Sequence, residues 1–175
     1  MAEGGAEGKA KRVMVAIDES ESSHYALEWV LSNLRSSLSS SPLVVFTVQP
    51  YPEISYLNAA SFGAPRICDF SFSSFLFPSA MELIQTVQQH QKELALSLLE
   101  KAKEICIQHG VVAETISEVG DPKEAICEAV EKLKIDLLIV GSHGKGAIQR
   151  VFLGSVSNYC VHNAKCPVLV VKKSV

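Results

Sequence analysis

The chain has 175 residues, 16 basic and 19 acidic, and 47% of them are hydrophobic. One domain of this size buries about 70% of its unfolded surface, so its core needs no metal or disulfide staples. A net charge of −3 with 20% charged residues excludes a disordered chain, and the lack of a concentrated Lys/Arg face excludes nucleic acid as an electrostatic partner.

Residues 1–11 are mostly Gly, Ala, Glu and Lys, a solvated tail ahead of a single domain over 12–175. Val13-Met14-Val15-Ala16-Ile17 is an uninterrupted apolar run, the mark of a strand buried on both faces. Ser20 then suits a helix N-cap and Glu21 a helix N-terminus. Ala26, Trp29, Val30 and Leu34 recur at helical spacing and predict an amphipathic helix over 21–36. After a Ser-rich connection, residues 43–48 read as a second buried strand. Residues 50–80 form a long variable loop with four prolines and no steady period; loops of that length are usually functional or mobile.

From Met81 to His109 a helical period returns, with Leu83, Val87, Leu94, Leu98, Ala102 and Ile105 on one face and Gly110 as a left-handed cap. Residues 111–119 are a more polar strand, expected at a sheet edge. Asp121-Pro122-Lys123-Glu124 is a strong helix start, with Asp at the cap, Pro first and Glu third. Ala125, Ile126, Ala129, Val130 and Leu133 form the buried face of that helix. Residues 136–140 and 168–171 are the fourth and fifth strands, separated by a glycine-punctuated loop and a helix from about Ser155 to Asn163.

Strands alternating with helices predict an α/β fold: an open, Rossmann-like parallel sheet of five strands, helices on both faces. With strand order 3-2-1-4-5, the first and fourth strands are neighbours at the topological switch point, where open α/β sheets bind ligands. Those two strands run into unusual loops, at Asp18 and at Gly141.

Five cysteines, Cys68, Cys106, Cys127, Cys160 and Cys166, show no C-x-x-C spacing and no zinc set, which fits reduced thiols packed as small hydrophobes in a cytosol or nucleus. Cys160 and Cys166 stand near enough in sequence to be weighed as a redox pair against simple packing. The first residues hold no apolar run, so no secretory signal is expected, and no stretch approaches the roughly 18 apolar residues of a membrane helix. A cytoplasmic protein without a membrane partner is expected, with a nuclear location as the alternative.

Val140-Gly141-Ser142-His143-Gly144-Lys145-Gly146 leaves the fourth strand, and Gly154-Ser155-Val156-Ser157 opens the next helix. Glycines admit close backbone approach, helix N-termini attract anions, and Lys145 adds a compact positive charge, which together suit a polyphosphate. Ala147 after Gly146 excludes the Walker A loop, and Gln149 excludes the dinucleotide fingerprint.

What remains is Gly141-x2-Gly144-x9-Gly154-Ser155. This resembles the ATP-binding signature of the universal stress protein family, and Gly154-Ser155-Val156-Ser157-Asn158-Tyr159-Cys160 is most similar to its plant members. Val15-Ala16-Ile17-Asp18, Val119-Gly120-Asp121-Pro122 and the closing Cys166-Pro167-Val168-Leu169-Val170-Val171 extend the resemblance over about residues 12–172. It departs at residues 65–78, unusually aromatic for the family's variable segment.

The resemblance implies an adenine nucleotide, ATP or AMP, across the switch point. Val48 would hold adenine through its backbone. Ala16, Ile17 and Asp18 would lie beside ribose and phosphates, with Asp18 reaching the sugar or a magnesium ion that arrives with the phosphates. Val140 and Gly141 would flank the ribose, and Gly144, Lys145, Gly154, Ser155, Val156 and Ser157 the phosphates. The family's habit of pairing last strands implies a homodimer through Val168, Leu169, Val170 and Val171.

Plainer roles stand beside these. Asp18 also suits a helix-start cap, and Ser155 is expected to cap its helix with or without ligand. His143 has no nucleophile or carboxylate at a known spacing, which argues against a catalytic base. Phe70 and Phe72 share one strand parity and Phe75 and Phe77 the other, so they make either an exposed partner-binding patch or an insert folded on the long helix.

Three functions compete: a nucleotide-binding stress or signalling module acting through ligand-dependent conformation or dimerisation, a slow ATP hydrolase, and a nucleotide-free chaperone-like scaffold. The lack of a Walker-type Asp and of an obvious base weighs against the hydrolase. The intact glycine pattern weighs against the scaffold.

Overall fold

The computed structural model describes residues 11–38, 41–51, 80–143 and 153–173. The tail up to residue 10, Cys68, the Phe-rich segment and the Gly144-Lys145-Gly146 stretch lie outside the described residues.

Five strands, β1 (Val13–Ala16), β2 (Leu43–Gln49), β3 (Ala113–Val119), β4 (Leu137–Gly141) and β5 (Val168–Val171), form one sheet in the order β3-β2-β1-β4-β5. All pairings are parallel, with Met14 opposite both Val44 and Leu138. The sheet confirms the expected topology and puts β1 and β4 side by side. Polar β3 sits at one edge and β5 at the other, as the charge content of the first and the position of the second require.

The helices are α1 (Glu21–Asn33), α2 (Ala80–Gln108), α3 (Pro122–Lys132) and α4 (Ser155–Asn163), with a short 3-10 turn at Arg35–Leu38. Alternation along the strands splits the core in two. Val13, Val15, Val45 and Ile139 meet Leu27, Val30 and Leu31 of α1 and Leu99, Ala102 and Cys106 of α2. On the other face Met14, Val44, Phe46 and Leu138 meet Ile126, Ala129 and Val130 of α3 and Cys160 of α4. Apolar burial on both faces of the central strands is what makes their sequences continuous apolar runs.

The helix ends follow local chemistry. Ser20 caps α1 by accepting from the Ser23 N–H at 3.2 Å, and Asp121 Oδ1 caps α3 by accepting from Lys123 N–H at 2.9 Å and Glu124 N–H at 3.4 Å. Gly110, at φ +68°, closes α2 in the left-handed region that a β-carbon disfavours.

Two expectations are corrected. The first helix ends at Asn33 rather than 36, because Leu34 at φ −112° leaves helical geometry and the chain tightens into the 3-10 turn. The buried face of α2 is centred on Ala95, Leu99, Ala102 and Cys106, whereas Leu94 is 42% exposed, since its side of the helix borders an open crevice rather than the sheet.

The four described cysteines are free thiols, so none is stapled. The neighbour of Cys160 is not Cys166 alone: the Cys127 thiol, across the α3–α4 contact, also lies close enough to influence its titration. Burial pushes the Cys160 thiol up to about 12 and the Cys106 thiol up to about 11, away from the thiolate that redox chemistry uses.

Candidate functional site: a crevice at the switch point

β1 ends at Ala16, and its main chain is held for one residue more. The Ile17 N–H donates to the Phe46 carbonyl at 2.8 Å, and the buried Thr47 hydroxyl donates to the Ile17 carbonyl at 2.9 Å. Beyond Ile17 the chain turns away into α1, while β2 continues through Val48 and Gln49 alongside β3. Phe46 faces β1 and strand groups alternate, so the Val48 N–H and C=O face the gap that β1 leaves. A main-chain donor and acceptor are thereby presented side by side.

Asp18 begins the turn. Its Oδ1 accepts from the backbone N–H and the hydroxyl of Ser20, and its own N–H donates to Ser23 Oγ at 3.1 Å. The helix-start role is therefore real, but the cap itself is Ser20. Asp18 also lines the crevice.

On the other side of the switch point, β4 ends at Gly141, where a β-carbon would stand 2.7 Å from the Ser22 backbone carbon. Its missing side chain makes room for the first turn of α1. Ser142 follows as a main-chain hub. Its N–H donates to Val171 O at 2.9 Å, and its carbonyl accepts from Gly154 N–H at 2.8 Å and from Ser157 Oγ at 3.1 Å. These bonds tie β4 to β5 and to the start of α4.

Gly154 is the N-cap of α4 and makes no side-chain cap bond. This corrects the expected role of Ser155, which is the first helical residue, with its side chain exposed. The Ser157 hydroxyl turns back to the Gly154 carbonyl at 2.9 Å, so its proton is committed to main chain. Among the described residues no side chain caps the α4 N-terminus, the place where an anion is best held.

A cavity of about 130 Å³ lies between these strand ends. Ala16, Ile17, Asp18, Val48, Val140, Gly141, Val156 and Ser157 line it. An adjoining cavity of about 620 Å³ shares Asp18, Val48 and Val156 and adds Gly154 and Ser155. Among the described residues, every position singled out from the sequence for nucleotide contact borders this joined crevice. Gly144 and Lys145 lie outside the described residues. Val168, Leu169, Val170 and Val171 are away from it, on edge strand β5.

The sequence of this chain matches the model of the universal stress protein family over residues 9–67 and 58–172. The chain belongs to the universal stress protein family.

A universal stress protein A-like protein of Arabidopsis thaliana is 32% identical over 173 residues, covering 93% of this chain and 90% of that protein. A universal stress protein family member from Arabidopsis thaliana, solved with AMP bound, superposes with a TM-score of 0.63 at 28% identity, covering 94% of this chain and 93% of the other. The hypothetical protein MJ0577 of Methanocaldococcus jannaschii superposes with a TM-score of 0.72 at 25% identity, covering 95% and 98%.

The universal stress protein crevice also has walls that the sequence did not reveal. Phe46 and Thr47 line it from β2, Pro122 and Ile126 from α3, and Gln91, Leu94 and Leu98 from α2. Leu94 and Leu98 read as ordinary core positions, because a period shows which residues share a face and not what the face meets. Pro122 read as a helix-start signal and as part of the family resemblance, not as a wall of the site. The partly buried network of Ser22, Ser142 and His143 spans more than a hundred residues of sequence, and no local pattern announces it.

Proposed function

We propose that this chain is an adenine-nucleotide-binding module of stress response or signalling, which works through a ligand-dependent conformation or dimer. The observation that carries this reading is the crevice: β1, β2, β4 and the start of α4, far apart in sequence, contribute to one wall of suitable size for a small ligand. The AMP held by the Arabidopsis thaliana relative supports it.

In this arrangement the Val48 main chain reads the edge of adenine. Ala16, Ile17, Asp18, Val140 and Gly141 surround the ribose, and the α4 start at Gly154, Ser155, Val156 and Ser157, with Gly144 and Lys145, takes the phosphates. Among the described residues no group of three His, Cys, Asp or Glu could hold a metal ion. Magnesium therefore fits as an ion carried in by the phosphates, with the Asp18 carboxylate in the crevice lining. Strand β5 is an edge of apolar, half-buried residues without a charge, a surface that pairing with a second copy would cover. The proposed setting is the cytosol; among the described residues no helix is long and apolar enough to cross a membrane.

Thermal melting with magnesium and ATP, AMP or no nucleotide tests the binding, with Ser155→Asp as the control. Asp at an exposed first-turn position favours the helix while repelling a phosphate. The wild type should gain stability, about 2.7 kcal/mol at a hundredfold excess over Kd. Ser155→Asp should fold normally and lose most of that gain. No shift with any nucleotide, in protein shown to be ligand-free, would overturn the proposal.

A further inference from the structure

His143 follows Ser142 at the end of β4 and lines the crevice. Its backbone is held at both ends by the first turn of α1. The His143 N–H donates to Ser22 Oγ at 3.2 Å, and the His143 carbonyl lies 3.3 Å from the Ser20 hydroxyl. Its ring is held too, with Nδ1 3.0 Å from Ser142 Oγ. The two serine hydroxyls stand 3.3 Å apart.

The protons in this group can be counted. Ser22 Oγ already accepts from the His143 N–H, so its own proton is available for Ser142 Oγ. Ser142 then gives its proton to His143 Nδ1. The chain of bonds starts and ends on His143, and every donor along it, from the His143 N–H through both hydroxyls, has an acceptor. In the opposite sense Nδ1–H donates to Ser142 and Ser142 to Ser22, which then accepts twice while its own proton gains no place in the network. The first arrangement gives both hydroxyl protons and the Nδ1 lone pair a partner, and it makes Nδ1 an acceptor and places the ring proton on Nε2. That Nε2 is buried and has no hydrogen-bond partner among the described residues. A buried donor without an acceptor is unfavourable in a folded chain and is rarely left so unless something else supplies the acceptor.

We propose that Ser22 and Ser142 lock His143 as the Nε2–H tautomer, and that this N–H donates to an acceptor oxygen on the ribose or phosphate of the bound nucleotide. The second half rests on the nucleotide reading above; the first does not. His143 is then a ligand-binding donor rather than a base. Ser22 and Ser142 are positioning residues that act through its ring, and they couple the crevice wall to the first turn of α1.

The tautomer is read by long-range proton–nitrogen NMR of the histidine rings, with His143 assigned from its absence in His143→Gln. Free wild-type protein should show Nδ1 unprotonated and Nε2 protonated, and Ser142→Ala should move His143 toward a mixture of forms. A ring protonated on Nδ1 in the wild type would overturn the lock.

Calorimetry with adenosine, AMP and ATP reads the donor. His143→Phe should weaken binding about tenfold, and His143→Gln, which restores an N–H donor, should recover much of it. A loss shared by adenosine assigns the acceptor to the sugar, and a loss confined to AMP and ATP assigns it to phosphate. If the wild type binds nucleotide and His143→Phe binds it equally well, the donor role is overturned and the nucleotide reading stands. If the wild type binds none of the three, the nucleotide reading and the donor role fall together.

Discussion

The β-carbon that Gly141 lacks would lie 2.7 Å from the Ser22 backbone carbon and 2.8 Å from both its carbonyl and hydroxyl oxygens. Read from sequence, this glycine marks close approach of main chain to a ligand. In the fold it first serves close approach of main chain to main chain, where β4 meets α1. The same contact brings Ser22 Oγ to the His143 N–H. The shape of the crevice and the packing of the helix are thus set by one residue.

Gly141→Ala therefore has nowhere to put its methyl group, since the obstructing Ser22 carbon and carbonyl oxygen are backbone and cannot rotate away. Urea denaturation should show a loss of about 1–3 kcal/mol, the usual range for overpacking. Nucleotide affinity should fall as well, because relief requires α1 to move from the crevice. A fully stable Gly141→Ala would mean that β4 and α1 are not in this contact.

Ser157 is buried, and its hydroxyl serves the Ser142 and Gly154 carbonyls. Ser157→Ala should cost about 1–2 kcal/mol in chemical denaturation, because the Ser142 and Gly154 carbonyls lose the one hydroxyl proton they share. Faster amide exchange at the start of α4 should accompany the loss, since the bond anchors that turn.

Asp121 caps α3 with one carboxylate oxygen bound to two backbone N–H groups. Asp121→Ala should lower stability by about 1 kcal/mol, and Asp121→Asn, which keeps a capping oxygen, should retain most of it. Equal losses in the two variants, measured by thermal or urea melting, would show that the carboxylate charge at the helix N-terminus matters more than the capping bond.

Cys160 supplies a pH dependence. Its thiol is raised by burial from the ordinary 9.0 to about 12. Between those values the unfolded chain has released a proton that the folded chain keeps, so stability is complete below pH 9 and falls as pH rises. The fall approaches about 1.4 kcal/mol per pH unit for one thiol. Urea midpoints measured from pH 8 upward should decline less steeply in Cys160→Ala than in the wild type, even though the variant starts lower because of its cavity. The remaining decline would include Cys106, whose thiol burial raises to about 11.

Much of this molecule was legible in one dimension. Continuous apolar runs at β1, β2, β4 and β5 report burial on two faces, and strand–helix alternation forces parallel pairing, so the sheet order followed. Ser20, Gly110 and Asp121 act within a turn of themselves, and each capped the helix it was expected to cap or close. The glycine and serine spacing around Gly141 and Gly154 located the crevice before any coordinate did.

Only the tertiary structure decided what those small residues touch. Gly141 faces Ser22, the Ser157 hydroxyl faces backbone carbonyls, and Leu94 faces the crevice rather than the core. The bond between Ser142 and Ser22 joins positions 120 residues apart. Local propensity carries information over about one turn, while packing contacts and buried hydrogen bonds depend on which distant backbone arrives opposite, and that is set only when the sheet closes.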